Sequence, residues 1–264
     1  MTPTGPSSGP AQDRRWLRGV VPKPGARVRL FCLPYAGGGA AEFSTWSAAL
    51  GDAVEVWPVQ LPGREDRLSE AAFDELEPLL EALIETFASE WQQPFALFGH
   101  SMGALVAFEL AREIRRRAGR EPTRLFLSGR GGPRYPDPTR TVYRLPDVDF
   151  IERLRELNGT PDEIMNNAEM REVFFPTLRA DFAVCERYRY REGAPLACAV
   201  SVLGGSRDED RPPELLQEWR RETTGPFALH MFPGDHFFVR TARQLVLDVI
   251  ARDLETTTWG QAGS

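Results

Sequence analysis

The chain has 264 residues, 42% of them hydrophobic and 27% charged, with a formal net charge of −6. This balance suits one large α/β domain whose core needs no disulfide staples. The acidic surface argues against general nucleic-acid binding, which demands basic charge, and no run approaches the ~18 apolar residues of a membrane span.

In chain order, residues 1–15 and 256–264 are rich in small and polar residues and are expected to be disordered. The first stretch holds no apolar core for a signal peptide. "RVRLFCLP" (27–34) reads as a buried strand, and "AVEVWPVQLP" (53–62) as a second that Pro58 pushes toward an edge or bend. A helix is predicted from Ser69 to Trp91, where Phe73, Leu76, Leu80, Leu83, Ile84 and Phe87 recur at helical spacing. "PFALFG" (94–99) is a short strand running into a helix striped by Leu105, Phe108, Ala111 and Ile114. That helix carries Arg115, Arg116 and Arg117 in its last turn and can close on Gly119. Further strands fall at 124–129, 198–205 and 227–234, and a last helix runs from Thr241 to Leu254. Alternating β and α segments predict an α/β fold, a mostly parallel sheet covered by helices on both faces.

Residues 142–191 break the rhythm with two or three helical pieces and no strand. The α/β core is thus expected at 16–141 and 192–255, with a helical insertion between. It is either a lid over the C-terminal edge of the sheet or a subdomain that fattens the core. As a lid it would line an apolar chamber with Phe150, Leu154, Leu157, Phe174, Phe175, Leu178 and Phe182. The three cysteines, Cys32, Cys185 and Cys198, form no CxxC pair. Two of them lie in apolar runs, so free buried thiols and a cytoplasmic setting are expected.

Gly99-His100-Ser101-Met102-Gly103 has the G-x-S-x-G pattern with a strand before it and a helix after it. In that context the pattern is a nucleophile elbow, and the helix N-terminus aims free N–H groups at a developing oxyanion. A serine hydroxyl needs a base. His100 adjoins the serine and is expected to pack, and His230 lies inside a strand. His236, in the loop after the strand at 227–234, is the choice. "GGSRDED" (204–210) supplies the acid after the preceding strand. Asp208 is favoured as the first carboxylate beyond the strand end, with Asp210 as the alternative. The order Ser101, Asp208, His236 is that of α/β-hydrolases. One oxyanion donor is the N–H of Met102, and the glycine-rich "LPYAGGG" loop (33–39) is placed to give another. It lacks the G-K-[ST] of a phosphate cradle.

With these residues assembled, the chain resembles the type II thioesterases of modular polyketide and nonribosomal peptide synthesis. The resemblance spans about residues 16–255 and rests on "LFCLPYAGGGA", "VQLPGREDR", "LFGHSMGA", "LNGTPDEI", "FFPTLRADF", "GGSRDED" and "GDHFF". It implies an α/β-hydrolase fold with Ser101 as nucleophile, Asp208 as orienting acid and His236 as base. Ala36 and Met102 would give the oxyanion N–H groups. It further implies an enzyme that clears stalled or wrong acyl units from the phosphopantetheine arm of acyl or peptidyl carrier proteins. No metal or diffusible cofactor, nucleic acid or membrane is implied. Glu209 departs from the family, which often has proline after this aspartate. A generic esterase or acyl-CoA thioesterase would share every catalytic residue, and a catalytically dead binding protein would share the fold. The arginine-rich helix end at 112–117, with Arg120, is read as a solvated face before it is read as a docking site for an acidic carrier protein.

Overall fold

Successive residues of a strand point to opposite faces of a sheet, and here both faces are apolar. On the first strand, Phe31 and Leu33 join one hydrophobic cluster while Val28, Leu30 and Cys32 join another. Phe95 and Leu97 against Ala96 and Phe98 repeat the division on the third. A sheet buried on both sides has to be covered by helices on both sides. The computed structural model, which describes residues 14–134 and 141–256, has that three-layer form.

The strands are β1 (Val28–Leu33), β2 (Val54–Pro58), β3 (Phe95–His100), β4 (Arg124–Ser128), β5 (Ala199–Gly205) and β6 (Phe227–Phe232). All pair in parallel, in the order β2-β1-β3-β4-β5-β6. The helices are α1 (Trp46–Ala49), α2 (Leu76–Thr86), α3 (Met102–Ala118), α4 (Asp147–Leu157), α5 (Asp162–Asn166), α6 (Ala168–Arg187), α7 (Pro213–Gln217), α8 (Phe238–Thr241) and α9 (Arg243–Glu255). Helices α2 and α3 cover one face, and α1, α8 and α9 cover the other. Among the described residues no helix is long and apolar enough to cross a membrane.

The predicted strands agree with these spans, and Pro58 closes β2 at one edge of the sheet. Gly119 ends α3 in the left-handed conformation at φ 64°. The second helix is shorter than expected and begins at Leu76, not Ser69. Pro78 explains this: proline fits only the first turn of a helix, so residues much before it cannot be helical. Phe73 lies outside the helix and packs on Trp16, ring centroids 6.3 Å apart. The expectations for 1–13 and 257–264 lie outside the described residues.

The insertion forms α4, α5 and α6. Phe150, Phe175 and Leu178 gather there in a small core of their own, while Val184 near the end of α6 belongs to the main cluster. β2 and β3 leave β1 on opposite sides, so the strand order reverses at β1 and β3. In an open parallel sheet that switch point is where a crevice forms beyond the strand ends.

Candidate active site

Ser101 stands at this switch point, between the end of β3 and the start of α3, with φ 55° and ψ −111°. A non-glycine residue so placed stores about 1–3 kcal/mol of strain. Its own N–H donates to Ser128 O at 2.7 Å, which holds the turn against β4. Glycine is needed on both sides because backbone passes where a side chain would lie. A Cβ at Gly99 would collide with the Gly103 carbonyl, and one at Gly103 with the Leu33 carbonyl.

Of the three acids after β5, Asp208 is the one that meets His236: its Oδ2 lies 2.7 Å from Nδ1 of the imidazole. Asp208 is buried, whereas Asp210 is exposed and lies 3.5 Å from Arg153. The contact leaves Nε2 of His236 as the nitrogen available to a hydroxyl. His100 packs as expected. It is buried beside His236, ring centroids 5.1 Å apart, with Nδ1 2.8 Å from Ser128 Oγ. Burial, and secondarily the charge of a protonated His236, push its pKa well down, so it stays neutral. His230 contacts Asp253 at 3.1 Å.

In the loop after β1 three amides are occupied. Gly37 N–H donates to Asp181 Oδ2 at 2.7 Å, Gly38 N–H to Tyr35 O at 2.9 Å, and Ala40 N–H to Gln60 Oε1 at 3.0 Å. Neither Ala36 nor Met102 gives its N–H to an acceptor among the described residues. Ala36 lines the same cavity as Ser101, and Met102 is the first residue of α3. Ala36 thus has an unoccupied amide in a residue of the cavity wall, and Met102 has one in the first turn of α3 beside Ser101.

That cavity has a volume of about 470 Å³ and is walled on the core side by Ser101, Asp208 and His236. The insertion supplies Leu154, Leu157, Leu178 and Phe182. Phe150, Phe174 and Phe175 are not in the wall, contrary to expectation. Phe150 and Phe175 meet edge-to-face at 5.1 Å inside the insertion, because helices that stand off the sheet need an apolar core of their own. The wall is also less apolar than expected, since Arg130, Arg153 and Glu186 face it. The basic end of α3 lies on the opposite edge of the sheet, about 20 Å along the helix from Ser101. There Arg116 and Arg117 pair with Glu113, and Arg115 donates to Pro195 O, as a solvated face would.

Sequence reasoning gave no role to Arg64 or Asp181. Arg64 sets two parallel hydrogen bonds on the Asp181 carboxylate, each 2.8 Å, with both side chains buried. The signal was there: Asp181 sits three residues from both Leu178 and Val184, on the buried stripe of α6. A carboxylate on an apolar stripe requires a buried partner.

Residues 28–257 match the family model described as thioesterase domain. Linear gramicidin dehydrogenase LgrE of Brevibacillus parabrevis is 41% identical, over 94% of this chain and 96% of its own. Thioesterase PikA5 of Streptomyces venezuelae is 41% identical, over 85% of this chain and 80% of its own. Among solved structures, the type II thioesterase BorB from the borrelidin biosynthetic cluster matches with a TM-score of 0.82 at 38% identity. The match covers 90% of this chain and 97% of that one.

Proposed function

This chain belongs to the thioesterase family, and from that membership we propose that it is a type II editing thioesterase of polyketide or nonribosomal peptide synthesis. It hydrolyses acyl groups from the phosphopantetheine thiol of acyl or peptidyl carrier proteins and so frees synthases that have stalled. One observation carries the reading. Strained Ser101 shares a cavity with the His236–Asp208 pair, in a chain similar to type II thioesterases that include YbtT from an NRPS/PKS biosynthetic pathway.

In this mechanism His236 Nε2 takes the proton of Ser101 as the hydroxyl attacks the thioester carbonyl. The Ala36 and Met102 amides stabilise the tetrahedral oxyanion, and Asp208 holds the imidazole tautomer and its developing charge. Collapse breaks the C–S bond, and the thiol leaves with the proton from His236. Water, activated by the same base, then attacks the acyl-serine and releases a free acid. The insertion roofs the cavity, and its α4–α5 portion moves to admit the arm. The protein works in the cytoplasm, where its carrier partners are made.

The test compares acyl-carrier thioesters with matched small thioesters and esters. Free acid should be released fastest from the carrier-bound series. Equal or faster turnover of the small substrates would make the protein a generic esterase or acyl-CoA thioesterase. One relative is named a dehydrogenase, so consumption of reduced nicotinamide without free acid overturns the hydrolytic reading.

A further inference from the structure

The Arg64–Asp181 pair does more than join α6 to the core. Asp181 Oδ2 accepts both Arg64 Nη1 and the N–H of Gly37, at 2.8 and 2.7 Å. Arg64 in turn donates to Gly38 O at 3.1 Å and Pro62 O at 3.2 Å. The glycine-rich loop is therefore gripped at two consecutive residues, Gly37 by its N–H and Gly38 by its C=O, by one buried ion pair. Gly37 is at φ 78°, with Leu178 of α6 packed where its Cβ would be. A buried ion pair is costly to desolvate, and an apolar pair of like volume is often as stable. Stability alone gives little reason for a charge here.

We propose that Asp181, held by Arg64, is a positioning residue for catalysis: it draws the Gly37 amide away from the cavity and fixes the Ala36 peptide as oxyanion donor. Peptide planarity makes the link mechanical. Holding Gly37 N–H on the carboxylate also fixes the direction of Ala36 C=O, because both belong to one plane. The Ala36 N–H lies in the preceding plane with Tyr35 C=O, which Gly38 N–H holds at 2.9 Å, so both planes flanking Ala36 are pinned and its N–H stays aimed where charge develops. Preorganised donors of this kind act in the transition state and leave ground-state binding nearly unchanged. The inference rests on the reading of Ala36 as a donor given above.

Two measurements test it. In the unaltered protein, amide hydrogen exchange should be at least about 100-fold slower at Gly37 than at Ala36. Exchange at Gly37 as fast as at Ala36 overturns the proposal. The second uses the charge-free pair Arg64→Met with Asp181→Val, assayed with a soluble acyl thioester. We expect kcat to fall about 100-fold with KM within a few-fold, as when an oxyanion donor is lost. The midpoints of the pH profile should not move, because His236 and Asp208 are untouched. Fluorophosphonate labelling of Ser101 should slow to the same degree. If that pair does not fold, Asp181→Asn, which keeps the shape of the side chain, carries the same expectation. A folded variant with full kcat overturns the positioning role and leaves the serine-hydrolase reading standing. An unaltered enzyme that fluorophosphonate does not label at Ser101 overturns that reading, and the positioning role with it.

Discussion

Asp208 and His236 meet at 2.7 Å although 28 residues separate them, because β5 and β6 are neighbours and deliver both loops to one edge of the sheet. Asp210 is only two residues further on, yet it faces Arg153 of α4. Asp208→Asn should therefore lower kcat by about 10³–10⁴-fold by presenting the wrong tautomer of the base. Asp210→Asn should leave kcat within a few-fold. Steady-state rates on one acyl thioester decide it, and the reverse ranking would give the acid role to Asp210.

Ser101, the proposed nucleophile, sits on strained backbone. Ser101→Ala should lose about a thousandfold or more in turnover and keep the same strained backbone. Ser101→Gly should be as inactive but more stable, because glycine adopts φ 55° without penalty. A gain of about 1 kcal/mol would raise Tm by about 2–4 °C in a domain of this size. Thermal unfolding of the three proteins side by side checks this, and a glycine variant that melts below wild type would contradict it.

The thiols should differ in reactivity. Burial pushes the Cys32 thiol well above its ordinary pKa, and burial with the nearby Glu121 charge pushes Cys198 to about 12. Since the thiolate is the reactive form, both should be inert in the folded protein. Cys185 lines the cavity beside Arg130, 3.6 Å away. Alkylation followed by intact mass should give one modified site, and peptide mapping should place it at Cys185. A bulky reagent there should slow hydrolysis several-fold, and Cys185→Ala should abolish that inhibition.

Acid should loosen α9 through Asp253. Ser201 Oγ donates to Asp253 at 2.6 Å, His230 Nε2 lies 3.1 Å away, and Arg124 donates to Ser201 at 2.8 Å, so β4, β5 and β6 all hold this helix. Burial tends to raise the Asp253 pKa, but the hydrogen bonds from His230 and Ser201 outweigh it, and the net shift is downward. A carboxylate depressed in the folded state contributes its stability above its unfolded pKa and loses it as pH falls through the folded value. The stability gap between wild type and Asp253→Asn should be constant near neutrality and shrink below about pH 4. Urea midpoints across that range measure it, and a gap that widens in acid would contradict it.

The strands were legible because a doubly buried parallel strand is an unbroken apolar run. The chain order of the proposed triad, Ser101, Asp208 and His236, was legible because each member follows a strand end. The start of α2 was not, since an apolar period continues through Phe73 while the limit comes from Pro78, a backbone effect that periodicity does not register. The fate of Phe150 and Phe175 was hidden for another reason. Seven apolar residues in an insertion can face the cavity or one another, and spacing alone does not choose. Asp181 was quoted within a motif, but its geometry with Gly37 joins positions 144 residues apart and exists only in the fold.

Pro176 interrupts the hydrogen-bond ladder inside α6, immediately before Thr177 donates to Gly63 O at 2.6 Å and Asp181 engages Arg64. The second half of that helix is thereby rooted in the hydrolase body, though by sequence it closes the insertion. This sets the seam for recombination between relatives. Chimeras that trade residues 142–176 leave the Gly63 and Arg64 contacts in place, and they must still present backbone at 142 and 143 to Glu186 and Arg179. Chimeras cut at 191 transplant a carboxylate away from its guanidinium, and they require residues 37, 63 and 64 to travel with it.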